Sequence, residues 1–206
     1  MKKPRPTLEV AADDTDEALL ARFCQGEASA YGELLRRFQR EIYSYLRRYL
    51  GQDALAEDVF QNTFFQVYQK ARQFEAGRKV KPWLYAIATH QAIDMLRRIN
   101  RRAAVSLEQM APGDDEGQTW ADTLHSSEID PFDGLDLAER RTRVQEAIEN
   151  LPEHLRLTVI LAYYQGLKYQ DIADIMKIPV GTVKSRLHAA MAKLHDALSP
   201  ALAQTV

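Results

Sequence analysis

The stretch from Leu167 to Leu198, LKYQDIADIMKIPVGTVKSRLHAAMAKLHDAL, carries two helical patterns that meet at a proline, and few folds accommodate that arrangement. In its first half Ile172, Ala173, Ile175 and Met176 form an apolar stripe at helical spacing, with the small Ala173 where a second helix can cross closely. Lys177-Ile178-Pro179-Val180 breaks the pattern, because Pro179 has no amide hydrogen to donate and biases Ile178 away from helical angles. From Thr182 the apolar residues recur as Val183, Leu187, Ala190/Met191, Leu194 and Leu198, which turns Lys184, Ser185, Arg186, His188 and Ala189 toward the other face. The spacing predicts a helix-turn-helix. A small, polar, cationic face at the start of the second helix suits a DNA major groove, where hydroxyls and basic side chains meet base edges and phosphates. The same pattern also serves a plain helical hairpin with a solvated basic face, so its weight depends on the rest of the chain.

With 206 residues and 46% hydrophobic content, the chain can bury one large or two small cores, and the charge pattern favours two. The formal net charge of -2 conceals a segregation into three blocks. Arg78–Arg102 carries seven basic residues against one acidic, Ala103–Glu139 ten acidic against none basic, and Arg140–Leu198 nine basic against six acidic. A single cysteine, Cys24, excludes an internal disulfide and a multi-cysteine zinc site. No second ligand stands at a metal-binding interval from His90, and no Gly-rich phosphate loop or nucleophile elbow is present. Neither an enzyme nor a cofactor is expected. No apolar run approaches the roughly 18 residues that cross a bilayer, and MKKPRPTLEV lacks a hydrophobic signal core, so a soluble cytoplasmic protein without membrane insertion is expected.

Taken in order, residues 1–14 read as an aperiodic tail, and Thr15 as the cap of a first helix that ends at Gly26. Ser29–Leu50 places Tyr31, Leu34, Leu35, Phe38, Ile42, Tyr45, Leu46 and Tyr49 at helical spacing and closes at Gly51. The next helix, from Asp53, has Leu55, Val59, Phe60, Thr63, Phe64, Val67 and Tyr68 over more of its circumference than one core needs, which leaves an apolar flank for a partner. Phe74–Lys81 reads as a basic loop, and Pro82 as the first residue of a helix that interleaves aromatic and cationic side chains. Such a surface suits unpaired bases and backbone phosphates, although Trp83 and Tyr85 are the kind of residue a core also takes. Residues 103–139 read as an acidic linker, either a plain spacer or a segment that imitates nucleic acid in a positive channel of a partner or shields the protein's own basic surfaces. Leu137–Leu151, Glu153–Tyr164 and the helix-turn-helix complete a C-terminal four-helix module over 140–198, followed by a tail over 199–206. The expected fold is all-α, two small helical domains (15–102 and 140–198) joined by that linker.

This arrangement resembles the extracytoplasmic-function group of bacterial sigma factors. LAEDVFQNTFFQVY (Leu55–Tyr68) is similar to the family's polymerase-binding helix, PWLYAIATHQAIDMLRR (Pro82–Arg98) to its helix that melts and reads the minus-ten element, and LPEHLRLTVILAYYQGLKYQDIADIMKIPVGTVKSRLHAAMAKL (Leu151–Leu194) to its minus-thirty-five-reading region. The resemblance implies a subunit that binds core RNA polymerase and directs it to promoter DNA, while the chemistry of RNA synthesis stays with the polymerase. It assigns Asp58, Gln61 and Phe64 to the beta-prime clamp helices, and a contact to the beta flap is part of the same expectation. Phe74, Arg78, Lys79, Lys81, His90, Gln91, Asp94, Arg97, Arg98 and Arg101 go to the minus-ten region, with the arginines, Arg102 among them, on phosphates. Thr182, Lys184, Ser185, Arg186 and His188 go to the minus-thirty-five element. An anti-sigma protein is a further implied partner, for which the apolar flank of Asp53–Tyr68 is a natural surface.

Two positions depart from the family. His90 stands where asparagine is usual, and imidazole lacks the paired donor and acceptor of a carboxamide. Ala189 stands where a base-contacting arginine can occur, so a contact of roughly 1–3 kcal/mol is missing. A competing reading is a stand-alone helix-turn-helix regulator with a helical N-terminal domain, which would bind paired half-sites as a dimer. The basic, aromatic stretch Phe74–Arg102 has no evident purpose in that scheme.

Overall fold

The computed structural model describes residues 15–75, 77–108 and 135–202, with side chains for all of these except 103–108, 135–139 and 200–202. All regular structure among them is helical. The N-terminal tail, most of the acidic stretch and the last four residues lie outside the described residues.

Helix α1 (Asp16–Cys24) starts as its sequence dictates: the Thr15 hydroxyl accepts from the Ala18 amide at 3.2 Å, and Asp16 and Glu17 stand in the positive first turn. Helix α2 (Ala28–Leu50) ends on Gly51, whose φ of 74° is the left-handed conformation that a glycine adopts without a Cβ penalty. Helix α3 (Asp53–Lys70) follows immediately and runs into a single 3-10 turn, Ala71–Gln73. Helix α4 (Val80–Glu108) crosses both. Leu34, Ile42 and Leu46 of α2, Ala56 and Val67 of α3, and Leu84, Ala88 and Ala92 of α4 are wholly excluded from solvent where these helices meet.

Two boundaries differ from the sequence-based expectation. Helix α4 begins at Val80, two residues before Pro82, and it continues past Arg102 to Glu108. The early start depends on a tertiary contact: the Val80 amide donates to Glu17 Oε1 of α1 at 3.1 Å, so a carboxylate from another helix caps this one. Proline is tolerated in a first turn because its missing N–H has no intrahelical acceptor there.

The C-terminal region comprises α5 (Leu135–Glu149), α6 (Glu153–Val159), α7 (Tyr169–Met176) and α8 (Val180–Leu202). Helix α5 starts two residues earlier than its pattern suggested, and α8 extends through the first residues of the supposed tail. Ile148 and Leu151 are buried, whereas Val144 of α5 is exposed. Helix α6 does not continue regularly to Tyr164: Ile160–Tyr164 widens into a π-helical turn, then Gly166 at φ 63° reverses the chain. Lys177 closes α7 at φ 54°, with the Ile178 amide returning to the Ala173 carbonyl at 3.0 Å. The Pro179 carbonyl then accepts from the Thr182 and Val183 amides at 2.9 and 3.2 Å and starts α8. Ile172, Val183 and Ala190 are wholly buried at this crossing, and Met191, included in the apolar stripe, is exposed in place of Ala190.

The two regions are packed on one another, α4 against α7 and the end of α2 against the π turn, so that the buried apolar residues form one contiguous cluster. No helix among the described residues is long and apolar enough to cross a membrane. Removing the cap, Glu17→Ala, should cost about 1 kcal/mol in urea unfolding, the size of a lost helix cap, while Glu17→Gln, which keeps an oxygen acceptor, should recover most of it.

Candidate nucleic-acid interface

On α3 the residues expected to meet a partner separate into two sets. Asp58 and Gln61 are exposed. Phe64 is a correction: it is 4% exposed, with its ring 4.9 Å from that of Phe60 in the core, so it offers nothing to an external surface. The exposed apolar side chains of this helix are Phe65, at 59%, and Tyr68, at 56%. Tyr68 is held by Phe23 and Tyr31, with ring centroids 5.1 and 5.4 Å away. The Tyr31 hydroxyl in turn donates to the Phe64 carbonyl at 2.6 Å, and its burial pushes the phenol pKa up to about 12. An ordered aromatic platform therefore flanks Asp58 and Gln61 on α3. Sequence periodicity found the surplus of apolar residues, and the resemblance singled out Phe64, whereas the structure buries Phe64 and exposes its neighbour Phe65, one helical step away.

The loop before α4 and its first turn hold their cations against acidic neighbours. Arg78 pairs with Glu75 at 2.7 Å, Lys79 lies 3.8 Å from Glu17, and Lys81 pairs with Glu41 at 2.6 Å while standing 5.8 Å from the Tyr85 ring centroid. Phe74 packs edge-on to Trp83 at 5.1 Å, and both rings stay partly accessible. Tyr85 is wholly buried, which places it in the core instead of on a stacking surface. Further along α4, Asp94, Arg97, Arg98 and Arg101 are exposed, Arg97 within 3.8 Å of Asp94, and Gln91 is half-buried. His90 is half-buried too. Desolvation, then the Lys177 charge, holds its imidazole below the usual range, against the opposing pull of the Ile175 backbone and Asp94.

On α8, Lys184, Ser185 and His188 are exposed, as is Ala189, and Thr182 and Arg186 are half-buried. The Ser185 hydroxyl donates to the Thr182 carbonyl at 3.0 Å, which leaves its lone pairs outward. Val183 and Leu187 anchor the opposite face. The polar start of α8 thus presents the residues that the spacing predicted.

The structure also brings the two sets together. A cleft is lined on one side by Ile93, Leu96 and Arg97 of α4 and on the other by Leu157, Ile178 and Arg186 of the C-terminal region. Sequence reasoning had no means of finding this, because the residues on the two sides lie 60 to 93 positions apart. Among the described residues no group of His, Cys, Asp or Glu is arranged to hold a metal ion.

Comparison with known proteins accounts for both regions. Residues 34–102 match the family profile of sigma-70 region 2, and residues 141–194 that of sigma-70 region 4. The chain is 31% identical to the ECF RNA polymerase sigma-E factor of Haemophilus influenzae over 90% of its length and 96% of that protein's. It is likewise 31% identical to the ECF RNA polymerase sigma factor SigW of Bacillus subtilis, over 84% of this chain and 91% of that one. Among solved structures, the sigma factor RpoE of Bartonella quintana, in complex with the anti-sigma factor NepR, has the same fold. It superposes with a TM-score of 0.65 at 23% identity, over 82% of this chain and 96% of that one. CnrH, in complex with the cytosolic domain of CnrY, superposes with a TM-score of 0.64 at 20% identity, over 91% of this chain and 99% of that one. With its helical regions 2 and 4 and relatives that align over nearly its whole length, the chain belongs to the extracytoplasmic-function sigma factors of the sigma-70 family, non-enzymatic subunits that direct promoter-specific initiation of transcription.

Proposed function

We propose that the two regions divide promoter recognition as follows. Helix α3 docks on the beta-prime clamp helices of core RNA polymerase through Asp58, Gln61 and the exposed Phe65, and the C-terminal region meets the beta flap. The Phe74–Lys81 loop and α4 take the minus-ten element, with bases drawn out of the duplex beside Phe74 and Trp83 and with Arg97, Arg98 and Arg101 on the backbone. Extrusion costs a few kcal/mol per base, which stacking and a fitted pocket offset. Helix α8 enters the major groove at the minus-thirty-five element with Thr182, Lys184, Ser185, Arg186 and His188. The acidic stretch 103–139 runs through a positive channel of the polymerase, and the whole assembly acts in the cytoplasm. An anti-sigma protein competes for the apolar flank of α3.

The observation that carries this reading is the split character of α8: Val183, Leu187 and Ala190 are buried, and the side chains left outward at its start are small, polar or cationic. Support for the polymerase contact comes from Phe65 and Tyr68, two large aromatics exposed on one helix beside Asp58 and Gln61.

Run-off transcription with purified core polymerase on genomic fragments tests the whole. New start sites sharing two spaced upstream elements are expected, and none would appear if the chain were a regulator acting on duplex DNA alone. Phe65→Ala and Asp58→Ala should each weaken binding to core polymerase by about tenfold with no change in thermal unfolding, and unchanged affinity in both would remove α3 from the interface. Phe64→Ala should instead act through stability, at about 3–5 kcal/mol for a buried phenylalanine. Arg98→Ala should weaken holoenzyme binding evenly across promoter sequences and lower the slope of log affinity against log salt by about one, as the loss of a phosphate contact does.

A further inference from the structure

Where the end of α2 and the start of α3 meet the turn between α5 and α6, there is a cavity of about 510 Å³ that the promoter reading does not use. Leu55, Leu96, Ile99 and Leu151 give it an apolar wall, to which Gln52 and Asn100 add two carboxamides. Leu96, Ile99 and Asn100 share one face of α4 at spacings of three and four, whereas Arg97, Arg98 and Arg101, assigned to DNA, belong to another.

Two guanidiniums line the same space, Arg48 of α2 and Arg156 of α6. Arg48 lies 4.0 Å from the centre of the Tyr164 ring, a contact that restrains it without neutralising its charge. Arg156 donates through Nη1 to the Glu149 carbonyl at 2.9 Å, but its Nε–H is shut off from solvent and has no acceptor. The carboxylates of the lining are engaged elsewhere: Glu149 accepts from the Gln145 amide at 2.9 Å, and Glu153 from the Tyr49 hydroxyl at 2.8 Å. Arg47, next to Arg48, pairs with Asp53 at 2.7 Å, yet among the described residues no ion pair reaches Arg48 or Arg156.

These features define the complement that the cavity calls for. The buried donor requires an acceptor, since an N–H that has lost water and gained no partner is unfavourable. The two uncompensated charges favour an anionic acceptor, which makes the bond charge-assisted. The apolar wall requires a body as well. A bare phosphate would leave most of the space to water, each molecule of which takes roughly 30 Å³, whereas cavities of several hundred cubic ångströms suit drug-sized molecules.

We propose that this cavity binds a small organic acid, an aromatic or branched apolar body bearing one carboxylate or phosphate. The anion accepts from Arg156 Nε in the field of Arg48, and the body lies against Leu55, Leu96 and Ile99. It is a ligand site on the sigma factor itself, apart from the surfaces given to DNA and to polymerase.

Isothermal titration calorimetry on the full chain, with neither DNA nor polymerase present, tests this independently of the roles given to α3, α4 and α8. The probes are 1-naphthyl phosphate and 1-naphthoate, with 1-naphthalenemethanol as the neutral body and inorganic phosphate as the bare anion. At least one naphthyl anion should bind one to one with a Kd on the order of 0.1 mM, and the tighter of the two names the head group. The neutral alcohol and inorganic phosphate should each bind about tenfold more weakly. Arg156→Lys, which keeps the charge but lacks the Nε donor, should weaken the anion about tenfold, and Leu55→Trp should fill the cavity and abolish binding. Arg48→Ala, at an exposed position that leaves the core intact, should weaken the anion by about threefold to tenfold, with thermal unfolding unchanged. Absence of binding by both naphthyl anions at tens of times the expected Kd would overturn the site, as would binding indifferent to all three substitutions. Equal binding of the neutral alcohol, or of inorganic phosphate, would overturn the ligand class.

Discussion

Three tyrosine hydroxyls are carried into the interior by α2 and α4, and each has to find a partner there, because an unpaired buried hydroxyl costs on the order of 1–3 kcal/mol. Tyr45 finds Thr89 at 2.7 Å, which ties α2 to α4 inside region 2. Tyr85 and Tyr49 find Gln165 and Glu153, which lie in region 4. The rings reinforce the arrangement, Tyr45 meeting Tyr85 edge-on at 5.1 Å and lying parallel to Tyr49 at 6.3 Å. Burial pushes all three phenols well above their usual range, with the Glu41 carboxylate adding to the effect at Tyr85 and Glu153 at Tyr49, so each keeps its hydroxyl proton at any physiological pH. One satisfied hydroxyl holds a domain together, and the other two hold the domains to each other.

The distribution of charge follows from the same packing. In the loop ahead of α4 and in its first turn, Arg78, Lys79 and Lys81 are each within reach of a carboxylate, two of these on other helices, whereas along the later turns of α4 the arginines stand in solvent. Exposed pairs of this kind contribute little to stability and are screened by salt, so the acidic partners restrain these cations only weakly. Glu17 has a second task. It caps α4 through the Val80 amide, which gives the long helix its starting point and orients the side chains that follow.

Much of region 4 was legible in the sequence because its signals are local. Pro179, the apolar spacing on either side of it and the small residues at the start of α8 act within a few positions of one another, and the structure places the turn and the outward set where that spacing put them. The π turn at Ile160–Tyr164 had no such signal: its residues are as compatible with a regular α-helix, and Gln165, which follows the turn, meets Tyr85 of α4. Phe64 and Phe65 show the same limit on a smaller scale, since hydrophobicity marks both and only the tilt of α3 against α2 and α4 decides which is buried.

By itself, then, the sequence determined the all-helical class, the order of the elements, the segregation of charge and the helix-turn-helix with its small, polar and cationic outward side chains. These follow from periodicity, capping and the backbone chemistry of Pro179 and Gly51, which act over one or two turns of chain. Tertiary structure alone decided which phenylalanine of α3 faces solvent, which carboxylate caps α4 and where His90 sits. It alone brought Tyr85 and Gln165, 80 positions apart, within hydrogen-bonding distance. The physical reason is that a helical pattern specifies a face but not what will cover it, and the cover is chosen by whichever distant group can fill the space and satisfy the polar atoms buried with it.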